Sequence, residues 1–438
     1  MSFETATLDS LCELVVDCPH STPKWTDEGI IVLRNQNIKN GILDLSAPSF
    51  TNEEDYLKRI KRAAPKAGDI VFTREAPMGE VCMIPEGLKC CLGQRQVLLR
   101  PKSDVNGQYL FWALQSPYVQ QQIAWNEGTG STVSNVRIPV LKALNIPRIG
   151  NEDMVAKSLS DIASKMALNT QTNQTLEQMA QAIFKSWFVD FDPVKAKING
   201  EQPEGMDAAT ASLFPDKLVE SELGLIPEGW EVKNVGEFTD TFDYVANGSF
   251  AALKANVELF DEPNDVLYVR TTDFNKGFKN DLKYTNESSY QFLSKSKLYG
   301  HETIISNVGD VGTVFRAPSW YDMPMTLGSN AMGIVAEGAN SYIYYLFKSH
   351  TGQHLLDGIT SGSAQMKFNK TSFRKLRVVL PSNELLAKFE ELEASLWAKH
   401  ASNQKESLHL EKLRDTLLPK LLSGEIELGL NEAVELEA

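Results

Sequence analysis

VLRNQNIKNG at residues 32–41 and YVRTTDFNKG at 268–277 read as one word written twice: an apolar pair, an arginine (Arg34, Arg270), a polar stretch and a closing glycine (Gly41, Gly277). Working outward, GDIVFTREAPMGEV (68–81) answers HETIISNVGDVGTV (301–314), each a β-branched strand, a polar turn and a glycine before the next strand. CLGQRQVLL (91–99) answers TLGSNAMGI (326–334), and YLFWALQS (109–116) answers YIYYLFKS (342–349), the last pair apolar enough for buried helices. Glycine-rich EGTGSTV and ITSGSAQ follow in register, and each half closes on a strand with a proline, NIPRIG (145–150) and VVLPSN (378–383). A period of roughly 230 to 236 residues, kept through this many words in one order, marks a duplicated chain.

After each proline the periodicity changes. Leu159, Ile162, Met166, Leu176, Ala180, Ile183 and Trp187 alternate steps of three and four, with Asn169 and Asn173 in the central slots, which is a heptad seam. Phe389, Leu392, Leu396, Leu410, Leu413 and Leu417 keep the same phase in the second half, with Lys399, Asn403 and Glu406 in the middle. A helix of such length, about 60 Å at 1.5 Å per residue, cannot bury its stripe alone, so the spacing predicts an antiparallel pair whose polar positions fix the register. LEQMAQAIF and LEKLRDTLL align at an offset of 234 whereas the seams align at 230, which leaves the register open by one turn. The expected fold is α+β with an approximate twofold internal repeat. Mixed α/β domains span 1–150 and 231–381, long helices 151–190 and 382–424, an ordered linker rich in Pro, Gly and aromatics 191–230, and an acidic tail 425–438.

The composition narrows the function classes. With 438 residues and 42% apolar content the chain has enough core for two or three domains, and no apolar run reaches the roughly 20 residues of a membrane span. The start MSFETATLDSL has neither the basic nor the apolar region of a leader, so a cytoplasmic protein is expected. Five cysteines, Cys12, Cys18, Cys82, Cys90 and Cys91, form no C-x-x-C pair and fit buried reduced thiols. The net charge of -14 argues against tight nucleic-acid binding by the isolated chain. Its distribution softens that: residues 1–150 hold 16 acids and 16 bases, residues 231–381 hold 16 and 15, and Glu425, Glu427, Glu432, Glu435 and Glu437 crowd a tail without a base. A partner supplying part of the positive surface is the consequence.

Two unlike halves, each followed by a similar long helix, resemble the DNA specificity subunit of type I restriction-modification systems. The words AQAIFKSWFVDFDPV (181–194), FPD (214–216), SELGLIPEGWEV (221–232) and LRDTLLPKLLSGEIEL (413–428) look like that family's shared segments, and the resemblance covers nearly the whole chain. It implies two target-recognition domains that each read one half of a split site in double-stranded DNA, with the helix pair as spacer. It also implies docking of two methyltransferase subunits that methylate adenine, and of restriction and translocase subunits where these exist. S-adenosylmethionine, ATP and Mg would then sit on the partners, with no cofactor in this chain.

The residues agree with a reader that lacks its own catalytic centre. DFDPV lacks the second proline and the aromatic of an adenine-methylating motif, EGTGSTV lacks the helix and acid of a dinucleotide turn, and no G-x-x-x-x-G-K-[ST] occurs. PDKLVES (215–221) has no acid-x-Lys to complete a nuclease metal site, and HTGQH, which spaces His350 and His354 as zinc ligands would be, has no glutamate base, so these read as surface histidines. The DNA-contact candidates are polar residues at repeated loop positions: Arg34 and Arg270, Thr73 with Arg74, Ser306 with Asn307, Gln94 with Arg95, and Ser329 with Asn330. Arginine pairs bidentately with guanine, and Asn or Gln with adenine, in the major groove. The same positions also suit turn residues, caps or phosphate contacts. Thr129, Ser131, Ser361, Ser363 and Lys367 in the glycine-rich loops are candidates for phosphate approach, and Lys370 heads a basic cluster with Arg374, Lys375 and Arg377, as Lys58, Arg59, Lys61 and Arg62 form one earlier, unless these are solvated faces. Phe184, Trp187, Phe188, Leu417, Leu418, Leu421 and Leu422 at the helix ends exceed what one seam needs, so they are expected either to hold the partners or to fill the core. An enzyme with an unrecognised site and a scaffold that binds no DNA are the competing readings.

Overall fold

Each half folds its β-branched runs into two small sheets. The computed structural model describes residues 4–125, 135–362 and 365–428. Two units divide the chain, residues 1–167 with 407–438, and residues 168–406. In the first, an antiparallel sheet has the order Cys12–Asp17, Gln96–Pro101, Ile70–Thr73, Val81–Met83. Beside it in sequence runs a sheet of order Cys90–Leu92, Ile30–Leu33, Ser49–Thr51, Trp25–Thr26, whose first pair is parallel. The second unit repeats both: Asp240–Asp243, Ala331–Val335, Thr303–Ser306, Val314–Arg316, and a five-stranded sheet in which Val266–Val269 again runs parallel to Met325–Leu327. Ile70–Thr73 and Thr303–Ser306 are buried along their whole length, which is why they read as continuous runs rather than alternating ones. The fold is α+β with an internal repeat, as the words predict.

The long helices span Glu152–Phe184, prolonged by a π turn at Lys185–Val189, and Asn383–Leu422. The boundary between the units falls inside both. In the first unit Val155, Ala156 and Leu159 share a buried cluster with Leu418, Leu421, Leu422 and the helix Gly107–Gln115. In the second unit Ala180, Phe184, Trp187 and Phe188 meet Leu385, Leu386 and Phe389. Each such side chain contributes about 1.5–3 kcal/mol on burial.

The polar positions of the seam are satisfied across the pair. Asn169 Nδ2 donates to Glu406 Oε2 (2.8 Å) and to the Asn403 carbonyl (3.3 Å), Asn403 Nδ2 to Asn173 Oδ1 (2.9 Å), and Asn173 Nδ2 to the His400 carbonyl (3.2 Å). Partners descend on one helix as they ascend on the other, so the pairing is antiparallel, and Asn403 bonds both Asn169 and Asn173, one turn apart. Two seam assignments need correction. Lys399 is exposed and His400 turns inward in its place, and Leu413 is 46% exposed.

Residues 191–230 are more than a connection. They form the helices Asp192–Ile198 and Ala208–Ser212 and a hairpin of Leu218–Ser221 with Gly224–Pro227. Val194, Phe214, Ile226 and Trp230 sink into the core of the second unit. No helix among the described residues is long and apolar enough to cross a membrane.

Candidate nucleic-acid interface

In each unit the strand ends converge through the same backbone bonds. Gly93 N–H donates to the Leu33 carbonyl (2.7 Å), and Gly328 N–H to the Val269 carbonyl (2.8 Å). A Cβ at Gly93 would lie 2.5 Å from the Leu33 oxygen and one at Gly328 2.9 Å from the Val269 oxygen, so both turns require glycine. Two residues on, Arg95 and Asn330 share φ of 69°, and their carbonyls accept from Arg74 N (2.8 Å) and Asn307 N (3.1 Å). Gly79 N–H donates to the Thr73 carbonyl (2.9 Å) as Gly312 N–H does to that of Ser306 (3.0 Å). Gln120 Nε2 braces the turn through the carbonyls of Gly79 and Leu114, and Gln353 Nε2 does so through those of Gly312 and Phe347. Nothing in the sequence reading marked these two glutamines, although they stand at equal distance after YLFWALQS and YIYYLFKS. The duplication holds bond by bond.

This frame sorts the candidate residues. Arg34, Gln94, Arg95, Ser329, Asn330, Ser361 and Lys367 are exposed around the converging turns, with Asn307 half-buried beside them. Lys367 makes antiparallel bridges to Ser361 and Val308, which brings the glycine-rich loop to the turn after Ser306. Thr73 and Ser306 are buried, a correction with a plain cause: each ends a fully buried strand, and the Thr73 hydroxyl accepts Glu80 N–H (3.0 Å) to close its turn. Arg74 is likewise committed inward, to both oxygens of Asp17 (2.9 and 3.0 Å) and to the Val136 carbonyl. Lys370 is paired with Asp243 at 3.0 Å. Thr129, Ser131 and Ser363 lie outside the described residues.

In the basic clusters Arg59, Lys370 and Arg374 are held inward, whereas Lys58, Lys61, Arg62, Lys375 and Arg377 are exposed. Arg59 is buried and donates to the carbonyls of Ser21, Leu92 and Gly93, which clamps the Gly93 turn from below. Arg374 donates to the carbonyls of Gly236 and Thr239, and Arg377 pairs with Glu222. The helix-end side chains also need correction. Phe184, Trp187 and Phe188 lie within 6.1 Å, ring centre to ring centre, of Phe389, while Phe188 packs at a tilt against Trp230 and Trp187 meets Phe214 edge to face. Leu418, Leu421 and Leu422 are buried in the first unit with Leu417 packed against them. Their apolar surplus is matched by the linker and by the mixed α/β domains, which the seam alone does not reveal. His350 and His354 are exposed, and among the described residues no group of three or more His, Cys, Asp or Glu is gathered as a metal site. All five cysteines are buried, and burial pushes the Cys82 and Cys90 thiols up to about 12.

A model of the type I restriction modification DNA specificity domain matches residues 2–178 and 227–385, both copies of the repeat. The chain belongs to this family. It is 28% identical over 427 residues to the type I restriction enzyme HindI specificity subunit of Haemophilus influenzae, covering 86% of this chain and 90% of that one. It is 27% identical over 371 residues to the MjaIX specificity subunit of Methanocaldococcus jannaschii, covering 83% and 79%. The crystal structure of a type I restriction-modification S subunit from M. genitalium has the same fold, with a TM-score of 0.54 over 96% of both chains at 15% identity. For this specificity subunit the family match spans both copies of the repeat, and the two copies differ at their exposed turn residues.

Proposed function

We propose that the chain reads a bipartite site in double-stranded DNA, one recognition domain per half-site, and positions methyltransferase subunits for adenine methylation, itself performing no catalysis. The observation that carries this reading is the pairing of an identical turn framework with unlike exposed side chains. Gln94 and Arg95 stand where the second domain has Ser329 and Asn330, on turns held by the same bonds. Amide and guanidinium groups at fixed turns are suited to base edges, and unlike groups on equivalent turns suit two different half-sites. Arg34, Gln94, Arg95, Ser329, Asn330, Ser361 and Lys367, all exposed, are the contact residues on this reading. An adenine inside a duplex must be flipped out before it is methylated, so this chain's part is to hold the complex in register while the partner extrudes the base. S-adenosylmethionine belongs on those partners, and ATP with Mg on restriction subunits where these join. The compartment is the cytoplasm, where the DNA and the partner subunits meet.

Co-expression with the cognate methyltransferase, followed by genome-wide mapping of methyladenine by single-molecule sequencing, tests this. A split motif with two fixed halves that disappears when this gene is deleted is the expected result. Methylation unchanged by the deletion refutes it.

A further inference from the structure

The two halves differ at a position where the sequence looks alike. Arg34 and Arg270 occupy one structural place: each ends the strand that runs parallel to its neighbour, is extended (φ -117° and -124°), and has its backbone N–H capped by the side chain three residues on. In the first domain the cap is Asn37, whose Oδ1 accepts Arg34 N–H at 2.9 Å while its Nδ2 donates to the Asp44 carbonyl at 2.9 Å. That amide is neutral and offers no carboxylate to pair with a guanidinium. In the second domain the cap is Asp273, whose Oδ2 accepts Arg270 N–H at 2.9 Å and Nε at 3.0 Å while Oδ1 accepts Nη2. The Asp281 carbonyl takes Nη2 as well.

The outcomes for the two arginines are opposite. Arg270 is 26% exposed and its charge is met by a carboxylate only 1% exposed. Arg34 is exposed, has no carboxylate partner among the described residues, and lies over the ring of Trp25 at 5.3 Å with Ser49 Oγ at 3.5 Å. Trp25 pairs with Thr51, and Leu259 pairs with the equivalent Thr285, so the second domain has no ring at that place. An arginine resting on an exposed aromatic keeps its charge and its five donors while losing rotamer freedom in advance.

We infer that Asp273 is a specificity-determining residue that withdraws Arg270 from DNA, whereas Arg34, oriented by Trp25, contacts a guanine in the half-site read by the first domain. The exchange of Asn for Asp three residues after the arginine, with the Trp25 ring present in the first domain only, thus sets whether that position of the frame reads a base. This rests on the functional reading above. Asp273 is a positioning residue: it acts through Arg270 and touches no base itself.

D273N tests it with a fold already vouched for, since Asn37 makes the same backbone cap in the sister domain. The full chain, co-expressed with its methyltransferase subunits, is compared as wild type, D273N, D273N/R270A and R34A by methyladenine mapping, with co-purification of the methyltransferase as the assembly control. In D273N one position of the second half-site should come to favour guanine by about 5-fold to 150-fold, the span of a good bidentate contact, with the first half-site unchanged. Adding R270A should abolish that gain, and R34A should relax one position of the first half-site only. An assembled D273N complex with the wild-type second half-site overturns the inference and leaves the functional reading standing. A wild type that directs no split motif overturns both.

Discussion

Replacing Glu393 by Leu strands a cation in the second unit, and the structure fixes how costly that is. Arg316 and Glu393 are each 4% exposed, joined from Nη1 to Oε1 at 2.6 Å. Ser341 Oγ accepts from Arg316 Nη2 (3.1 Å) and donates to Glu393 Oε2 (2.8 Å), while the guanidinium lies 4.3 Å from the ring centre of Tyr344 and 4.7 Å from that of Trp397. With charge centres about 4 Å apart the attraction is about 4 kcal/mol at an effective dielectric near 20, and removing one member of a buried pair costs about 3–5 kcal/mol. The two singles should differ. Arginine cannot shed its proton, so E393L keeps a buried charge, whereas R316L leaves a carboxyl that can neutralise itself by protonation. E393L should therefore be the worse at neutral pH. The double replacement removes both charges and also the unpartnered Arg316 Nε, so it should cost less than the sum of the singles by about 1–3 kcal/mol. Thermal unfolding of the full chain reads this, at about 2–4 °C per kcal/mol for a unit of this size. Strict additivity in the double mutant would refute the account.

G93A should cost about 1–3 kcal/mol, because the new Cβ meets the Leu33 oxygen and the turn must move; urea unfolding beside wild type checks it, and R34A, an exposed change, should stay within about 0.5 kcal/mol. Burial holds the His400 imidazole below its ordinary value between Trp397, Trp320, Glu177, Lys348, Arg316 and Glu393. A base with a lowered folded pKa contributes stability that is whole above about pH 6.5 and declines as pH falls, so H400Q should flatten the acid limb of the melting temperature measured between pH 7.5 and 5.5. An unchanged acid limb would place the sensitivity elsewhere.

What the sequence disclosed depended on the range of the interaction. Strand, turn and helix words repeat because each is a local solution to local geometry, so the glycines at 93 and 328 and the heptads around Asn169, Asn173 and Asn403 announced the frame and the seam. The direction of a side chain depends on partners far along the chain. Arg74 looked like a base reader until Asp17, 57 residues away, claimed it. Arg59 looked like surface charge, yet it spans to Leu92 and Gly93. The aromatics at the end of the first long helix looked surplus because their consumers, Phe214, Trp230 and Phe389, belong to other words.

The same distinction accounts for how a reader can change its target without losing its fold. The turns that carry Gln94, Arg95, Ser329 and Asn330 are held by backbone bonds and by half-buried Gln120 and Gln353, so few of the stabilising contacts run through the exposed positions. Arg95 goes further. It sits at φ of 69°, a conformation that Asn330 accepts through its short polar side chain and that an arginine adopts at a cost of about 1 kcal/mol. Its pairing with Glu75 at 3.2 Å is half in solvent and offsets little of that. The turn would therefore be more stable with asparagine at 95 than with arginine, and the arginine's use lies at the exposed end of its side chain on the proposed reading.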